Sequence, residues 1–392
     1  MFLVLVILAS LMFIHIMDFM IIMPLGNELM ELFHISTRQF SFLVSAYTLS
    51  AGTASFTSAF FIDRFDRKKA LVFVYTGFTL GTLLCGLADS YHLLMFARII
   101  TGMFGGLING LIYAIIGDAF PVEKRSEAMG VLTSAFSFAS VIGVPTGLYL
   151  ANIYTWNFPF YAMAGVAFIV LFMVIKFIPN YNSHLGQKKK SPIELIKVLL
   201  LRRNQQIALV FMLLLVLGQF MVIPFITPYM IRNVGFTQAQ IPIIYFVGGG
   251  LTMFTGPLVG RMADKFGRKK IFLIMAIGSI IPLFVLTNLP PMPVYYAVIV
   301  NGLFFVFISG RMIPSNSMMT SVVLPENRGG FMSLSSSFQQ IGAGLASLIS
   351  GAIVVTADNG AIKNYQWVGY LCIALTFIAI YISFKLTTLE GT

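Results

Sequence analysis

One charged segment occurs twice in the sequence, as Gly260-Arg-Met-Ala-Asp-Lys-Phe-Gly-Arg-Lys-Lys270 and, in altered form, as Ala59-Phe-Phe-Ile-Asp-Arg-Phe-Asp-Arg-Lys-Lys69. Each copy follows one long apolar run and precedes another. The two copies are 201 residues apart, about half of the 392-residue chain. A segment repeated at half the chain length indicates two halves that share one fold.

The composition indicates a membrane protein. The chain is 58% hydrophobic and only 10% charged, whereas a soluble globular domain carries about 25% charged residues. The net charge of +11 lies in short loops between apolar runs rather than on one polar face, which argues against nucleic-acid binding. Cys85 and Cys372 lie inside apolar runs without a CxxC pairing, so neither a disulfide nor a metal site is expected.

A helix that crosses the bilayer needs about 20 apolar residues. The first apolar run lacks the basic flank and cleavage site of a signal peptide, so we interpret it as a span and expect the natural start site slightly upstream. Twelve stretches qualify, and we number them spans 1 to 12: residues 1–26, 39–62, 70–89, 92–117, 128–152, 157–178, 205–231, 239–262, 270–289, 293–319, 329–356 and 364–386.

This pattern predicts an all-α membrane protein, with twelve transmembrane helices in two six-helix halves related by pseudo-two-fold symmetry. The N-terminal bundle covers residues 1–178, a cytoplasmic linker 179–204, and the C-terminal bundle 205–392. Within the linker, Pro192–Leu201 is predicted to form a short interfacial helix.

The basic residues predict the orientation. The loops on one side hold 20 of the 25 Lys and Arg residues, whereas the opposite loops hold only Arg38, Arg232 and Lys363. Basic loops stay in the cytoplasm, so both termini are expected there, in a bacterial-type inner (plasma) membrane. The terms inner and outer below follow this prediction.

Glycines recur every fourth residue in several spans. Gly102, Gly106 and Gly110 form such a stripe in span 4, and Gly256 and Gly260 do so in span 8. Stripes of small residues allow membrane helices to approach closely.

No phosphate-binding loop, HExxH motif or GxSxG motif is present, so the sequence predicts neither ATP hydrolysis nor any other enzymatic activity, and no cofactor. Two repeated six-span halves are a usual design for secondary transporters, which bind substrate near the midplane between the repeats.

The sequence resembles the major facilitator superfamily over essentially its whole length. The second charged segment matches the superfamily's signature loop at Gly260, Asp264, Gly267 and Arg268. The first copy departs from it at Ala59 and Asp66 and keeps Asp63, Arg64 and Arg67. The resemblance implies that both loops are conformational hinges. A merely solvated positive loop is the alternative.

Two further motifs carry the resemblance. Arg98-Ile-Ile-Thr-Gly102 is similar to the superfamily's R-x-x-Q-G pattern, with Thr101 in place of glutamine. Gly143-Val-Pro145-Thr-Gly147 resembles the antiporter motif of the drug:proton antiporter and sugar-efflux branch. This motif implies export, although the same glycines also serve close packing.

Asp18 is the one acid clearly inside a span, and a charge at the bilayer centre costs about 3 kcal/mol or more. By helical rise Asp18 lies roughly 12 Å and Arg98 roughly 9 Å below the outer surface. We therefore expect them to pair and to couple transport to protons. His15, one turn earlier, is either a relay or a hydrogen-bonded helix histidine.

The same 201-residue offset maps Asp18 onto Gln219. In the superfamily, spans 1, 4, 7 and 10 line the substrate cavity, and several polar side chains of the chain lie on these or adjoining spans. We take six of them as candidates for the cavity, although most would equally serve as hydrogen-bonding links between helices: Tyr47, Asn109, Gln219, Tyr245, Asn301 and Gln339.

The sequence thus predicts a monomeric, proton-coupled exporter of a small organic solute, with the substrate, protons and the bilayer as partners. A proton-coupled importer of a sugar or metabolite is the alternative on the same fold, and a non-transporting membrane sensor or scaffold is the alternative from another class. One buried acid fits a cationic drug and the amides fit a sugar.

Overall fold

The computed structural model describes residues 2–58, 60–182, 202–323 and 328–387. Ten of its helices are long and apolar enough to cross a membrane. Spans 2 and 11 complete the twelve: they are 22 and 26 residues long and richer in Ser, Thr and Gly. The predicted all-α fold of two six-helix halves is confirmed.

The helices of the N-terminal half follow the predicted order. Span 1 and the short helix after it are followed by spans 2 to 6: Phe2–Ile21, Gly26–Leu32, Thr37–Ser58, Arg67–Gly86, Tyr91–Ala119, Val122–Phe138 with its continuation Val144–Ile153, and Phe158–Phe177.

The C-terminal half repeats this order. Spans 7 and 9 are each divided into two helices, so spans 7 to 12 are Arg203–Phe220 with Ile226–Tyr229, Ile241–Phe266, Arg268–Gly278 with Ile280–Leu286, Val294–Thr320, Arg328–Ile353 and Tyr365–Lys385. Most of the predicted linker, including Pro192–Leu201, lies outside the described residues.

Prolines account for two of the helix interruptions. In span 5 a π-helical turn, Ala139–Gly143, comes directly before Val144-Pro145. In span 7 the α-helix ends at Phe220, and Pro224 lies in a 3₁₀ turn. Proline donates no backbone hydrogen bond and its ring clashes with the preceding turn, so the chain changes its helix type there.

A short hairpin between spans 11 and 12 departs from the all-helical prediction. Val355–Thr356 pairs with Ile362–Lys363 in antiparallel register. Two-residue strands leave no hydrophobic period in a sequence, so the pattern of apolar runs does not predict them.

The glycine stripe of span 4 explains how this helix approaches span 2. A Cβ added at Gly102 would contact the Tyr47 carbonyl oxygen, and one at Gly106 would contact that of Ala51. At Gly110 an added Cβ would meet nothing within 4 Å. The predicted close contact is therefore present at the first two glycines and absent at the third.

Spans 2 and 11 hold the two halves together along most of their length. Thr37 Oγ1 donates to the Val354 carbonyl over 2.7 Å, and Ser347 Oγ donates to that of Ser41 over 3.1 Å. Nearer the inner side, the Ser337 and Ser55 hydroxyls are 3.1 Å apart. These helices face each other rather than lipid, which accounts for their polar composition.

On the outer side the halves also meet through the short helix after span 1 and the segment that follows span 7. Arg232 Nε donates to Asn27 Oδ1 over 2.6 Å, and its Nη2 lies 3.5 Å from Glu31 Oε1. Toward the inner side, Tyr113 on span 4 and Val210 on span 7 are 45% and 44% exposed. The two halves are thus in contact on the outer side, whereas these two side chains toward the inner side are exposed.

Candidate functional site

The N-terminal half encloses an ion pair between spans 1 and 4. Arg98 Nη1 donates to Asp18 Oδ2 over 2.9 Å and to the Asp18 carbonyl over 3.2 Å. Thr82 Oγ1 on span 3 donates to Asp18 Oδ1 over 3.1 Å. Both charged side chains are 0% exposed. The structure therefore brings together the two groups that the depth estimates placed at one level.

The hydrogen bonding of this pair is complete on the acid and incomplete on the base. Both Asp18 oxygens accept a hydrogen bond, whereas Arg98 Nε and Nη2 are buried without a partner among the described residues. A buried ion pair stabilises a fold only when its remaining hydrogen-bonding groups are satisfied. The pair is therefore a costly feature, as expected of a group kept for function.

Tyr47 on span 2 completes this cluster. The Arg98 guanidinium carbon lies 4.3 Å from the centre of the Tyr47 ring, within the range of a cation–π contact. The Tyr47 hydroxyl lies 3.0 Å from His15 Nδ1. A Cβ at Gly105 would contact both Tyr47 Oη and the His15 ring, so this glycine makes room for the pair.

From the sequence, Tyr47 is expected in the substrate cavity. In this conformation its side chain is fully buried in the ion-pair cluster, which we define as His15, Asp18, Tyr47, Thr82 and Arg98. The rarity of acids in spans singled out Asp18 and Arg98. No such signal distinguishes Tyr47 or Thr82, because tyrosine and threonine are common in membrane helices.

Among its described residues, the C-terminal half has no matching ion pair. Gln219, which is equivalent to Asp18 in the 201-residue repeat, has a buried Oε1 without a partner among the described residues. Arg311 on span 10 is buried, and its guanidinium donates to Thr376 Oγ1, Ser279 Oγ and the Leu215 carbonyl over 3.0–3.4 Å. This arginine thus links spans 7, 9, 10 and 12 through neutral groups.

The other cavity candidates divide into two groups. Asn109 and Gln219 are partly exposed on spans 4 and 7, and the Asn109 Oδ1 atom also has no partner in the described part of the chain. Tyr245, Asn301 and Gln339 contact their own half: Tyr245 Oη lies 3.1 Å from Thr227 Oγ1, Asn301 donates to Ala297, and Gln339 donates to Ser335.

The two charged loops begin the third helix of each half in different ways. In the second loop, Gly267 has φ +96°, which favours glycine. At the equivalent position of the first loop, Asp66 instead accepts a hydrogen bond from Lys69 N over 3.0 Å and caps the helix. The departure from the signature at Asp66 therefore replaces a glycine turn with a side-chain cap.

Arginines of the two loops contact the inner end of the fourth helix in each half. Arg67 Nε lies 3.4 Å from Asp118 Oδ2, and Arg268 Nη1 donates to Ser321 Oγ over 2.5 Å. Arg64 and Asp264 are exposed. Ala59 and the side chain of Asp63 lie outside the described part.

The motif in span 5 packs on span 1. A Cβ at Gly143 would lie 3.2 Å from Met17 Sδ, and one at Gly147 would lie 2.8 Å from Ile21 Cδ1. Met17 directly precedes Asp18, so the glycines of this motif set the position of the helix that carries the buried acid.

Comparisons with known proteins agree with this architecture. The family model for the Major Facilitator Superfamily matches residues 8–251 and 208–391. The MFS-type transporter YceJ of Bacillus subtilis is 25% identical over 91% of this chain and 90% of its own. A probable sugar efflux transporter of Helicobacter pylori is 23% identical over 67% of each chain.

Among solved structures, a D-xylose-proton symporter superposes with a TM-score of 0.80, covering 99% of both chains at 16% identity. At that identity the similarity shows the fold alone. The match of the family model extends over nearly the whole sequence. The chain therefore belongs to the Major Facilitator Superfamily and is an integral membrane transporter.

Proposed function

We propose that the protein exports a small organic solute in exchange for protons, and that Asp18, Arg98 and His15 couple the two movements. The observation that carries this proposal is the fully buried Asp18–Arg98 pair. An acid at this depth costs about 3 kcal/mol or more unless it has a partner or a task, and this pair leaves part of its arginine without hydrogen bonds.

Proton binding and ion pairing exclude each other at Asp18. A protonated Asp18 has no charge to offer Arg98, so a conformation that separates the two groups binds the proton more tightly. By linkage, the proton in turn favours that conformation. Protonation therefore shifts the transporter between conformations, and His15 acts on this balance through its contact with Tyr47.

The proposed substrate site lies between the halves. Asn109 and Gln219 supply acceptors from spans 4 and 7, which favours a solute with hydroxyl or amine donors, such as a sugar, a drug or a metabolite. Tyr47, Tyr245, Asn301 and Gln339 are proposed to join this site in other conformations. The charged loops are proposed as the hinges of the movement, in a monomer of the bacterial-type inner membrane with both termini cytoplasmic.

Two features support export. The motif Gly143 to Gly147 resembles that of exporters and packs on the helix of Asp18. The relative from Helicobacter pylori is described as a probable sugar efflux transporter. A proton-coupled importer on the same fold is the alternative, which the direction of transport tests.

The coupling is tested with Asp18→Asn in proteoliposomes. A thermal-shift screen of sugars, lipophilic cations and amphipathic metabolites first identifies a solute that binds the purified protein. We expect the variant to lose transport driven by a pH gradient, because its amide does not titrate, while equilibrium exchange of that solute continues. Asp89→Asn, which removes an exposed acid near the outer end of span 3, is the control and should transport normally.

The proposal is wrong if Asp18→Asn keeps full coupling to the pH gradient. In that case His15 becomes the next candidate for the proton site. Loss of both gradient-driven transport and exchange would instead assign Asp18 to the structure of the fold, and would equally remove it from the coupling step.

A further inference from the structure

Phe19 and Phe220 are equivalent residues of the two halves and contact each other. They are 201 residues apart, the same offset that relates the two charged loops. Their ring centroids lie 5.8 Å apart at an interplanar angle of 45°. Residues that are related by a two-fold axis and also touch must lie close to that axis. The contact therefore lies at the centre of the interface between the halves.

Behind Phe19 the aromatic contacts continue into the ion-pair cluster. The ring centroids of Phe19 and Tyr47 are 5.5 Å apart, and Tyr47 also contacts the Arg98 guanidinium, 4.3 Å from its ring centre. Phe19 also directly follows Asp18 in span 1. A shift of Asp18 relative to Arg98 must move Phe19 and the face of Tyr47 against which it packs.

The equivalent contacts are absent among the described residues of the C-terminal half. The offset maps Tyr47 onto Gly248, and a Cβ at Gly248 would contact the Phe305 ring. Phe220 follows the neutral Gln219. Of the two central rings, Phe19 is thus the one that packs, through Tyr47, against a charged group. The two halves contribute equivalent rings, but the ring of the N-terminal half is the one linked to the ion pair.

We propose that the Phe19–Phe220 pair closes the substrate path below the outer surface, and that Phe19 is the positioning residue that transmits the state of the Asp18–Arg98 pair to this closure. The proposal rests on the proposed function, since it takes the ion pair as the proton-coupling element. It assigns the closure to two residues that lie outside the charged loops and the two motifs named above.

The titratable and charged groups that face Asp18 come from four helices. They are Arg98 on span 4, Cys85 on span 3, Tyr47 on span 2 and His15 on span 1 itself. Only Arg98 contacts the Asp18 carboxylate directly among them. If the closure loses its pH response in Asp18→Asn, the group that titrates is therefore Asp18. If the pH response persists, another member of this set titrates.

The test measures access to a cysteine introduced on the inner side of the closure, as Asn109→Cys. Asn109 lies eleven residues beyond Arg98 along span 4, toward the inner side. Sealed vesicles of both orientations are treated with a membrane-impermeant methanethiosulfonate reagent, and the rate of labelling is measured without any substrate. The parent chain, whose Cys85 and Cys372 are buried, gives the background.

Added to Asn109→Cys, Phe19→Ala and Phe220→Ala should each raise the labelling rate from the outer side by roughly tenfold, because an aromatic pair contributes up to about 1.5 kcal/mol. Labelling from the inner side should not change. Phe284→Ala is the matched control. It removes a ring that stacks at 5.9 Å on Tyr370 within the C-terminal half, and it should leave both rates unchanged.

The pH dependence separates transmission from plain packing. In the Asn109→Cys parent, and with Phe284→Ala added to it, the labelling rate from the outer side should change with pH relative to the rate from the inner side, a ratio that cancels the pH-dependent reactivity of the thiolate. With Phe19→Ala this ratio should be high at every pH even though Asp18 and Arg98 are present. Phe19→Leu, which keeps an apolar side chain of similar reach, should restore part of the closure and guards against a misfolded alanine variant.

The outcomes distinguish this inference from the proposed function. If the Phe19→Ala and Phe220→Ala variants both label at the parent rate, the closure lies elsewhere and the inference is overturned, whatever Asp18→Asn does to transport. If both variants open the path while Asp18→Asn keeps full proton coupling, the closure stands and the proposed coupling fails. A fast rate in Phe19→Ala that keeps the parent's pH dependence overturns the transmitting role of Phe19.

Discussion

At the residue scale, the central question is why one half carries a buried ion pair and the other a lone buried arginine. Apart from Asp264 at the inner end of span 8, the spans of the C-terminal half contain no acid, and Arg311 has only hydroxyl and carbonyl partners among the described residues. Its bonds to three neighbouring helices hold that half together. The titratable partner is confined to the N-terminal half, at Asp18.

Part of this site follows from sequence and part does not. Asp18 and Arg98 are recognisable because charges in spans are rare and helical rise gives their depth. Tyr47 and Phe19 are two of 15 tyrosines and 38 phenylalanines. Only the packing of spans 1, 2 and 4 distinguishes them from rings that fill the core or face lipid.

Glu28, in the short helix after span 1, provides a prediction on pH. Burial, together with the neighbouring Glu31, raises the pKa of Glu28 above its ordinary value of 4.5. The folded protein therefore binds this proton more tightly than the unfolded chain. The ionised carboxylate opposes folding at neutral pH, and this penalty disappears as the pH falls below the ordinary pKa.

We therefore expect Glu28→Gln to raise the melting temperature at neutral pH by roughly 1–2 °C, and the gain to vanish in acid. Thermal unfolding of the purified protein at both pH values measures this. Glu31→Gln is the control and should not raise it, because Glu31 accepts from Asn27 and lies 3.5 Å from Arg232. A lower melting temperature for Glu28→Gln at neutral pH would contradict the assignment.

At the scale of elements, the sequence predicts where helices begin and end better than how they meet. The predicted span 4, residues 92–117, agrees within two residues with the helix Tyr91–Ala119. The bounds agree because polar loops on both sides mark where the apolar run ends. The glycine spacing in that span predicts a close contact but not its extent along the helix. That extent depends on where span 2 crosses it.

The contrast between Gly106 and Gly110 can be tested directly. Gly106→Ala places a methyl group against the Ala51 carbonyl and should cost about 1–3 kcal/mol. Gly110→Ala meets nothing within 4 Å and should be neutral or slightly stabilising, because alanine favours the helix. Thermal unfolding and the monodisperse yield after purification measure both. Equal losses in the two variants would show that span 4 packs on span 2 along its whole length.

At the scale of the whole molecule, the sequence repeat predicts two halves of the same fold. The structure adds the differences between these halves. The offset of 201 residues relates the loop arginines Arg67 and Arg268, and each of them contacts the inner end of the fourth helix in its own half. The same offset relates the central pair Phe19–Phe220. It does not relate the charges: Asp18 maps onto Gln219. On the proposed function, a symmetric scaffold whose fully buried ion pair lies in the N-terminal half can rock between two states while that half responds to protons.

The direction of transport depends on which of the two conformations binds the proton more tightly and which binds the solute more tightly. If each favours a different state, the protein exchanges them. If both favour the same state, it carries them together. The closure on the outer side involves span 1, which carries Asp18 and is positioned by Gly143 and Gly147 of the exporter-like motif. On the proposed function this arrangement favours exchange, since release of the proton would re-form the ion pair in the conformation that takes up the internal solute.

We therefore expect deletion of the gene to raise the cellular accumulation of the solute found in the binding screen, and expression of the parent chain to reverse the increase. Asp18→Asn, expressed at the same level, should fail to reverse it, whereas Asp89→Asn should succeed. Accumulation of the labelled solute is measured over time, with and without a protonophore that collapses the gradient. A fall in accumulation on deletion, again dependent on Asp18, would keep the proton coupling and reverse the direction, because the proton and the solute would then favour the same state.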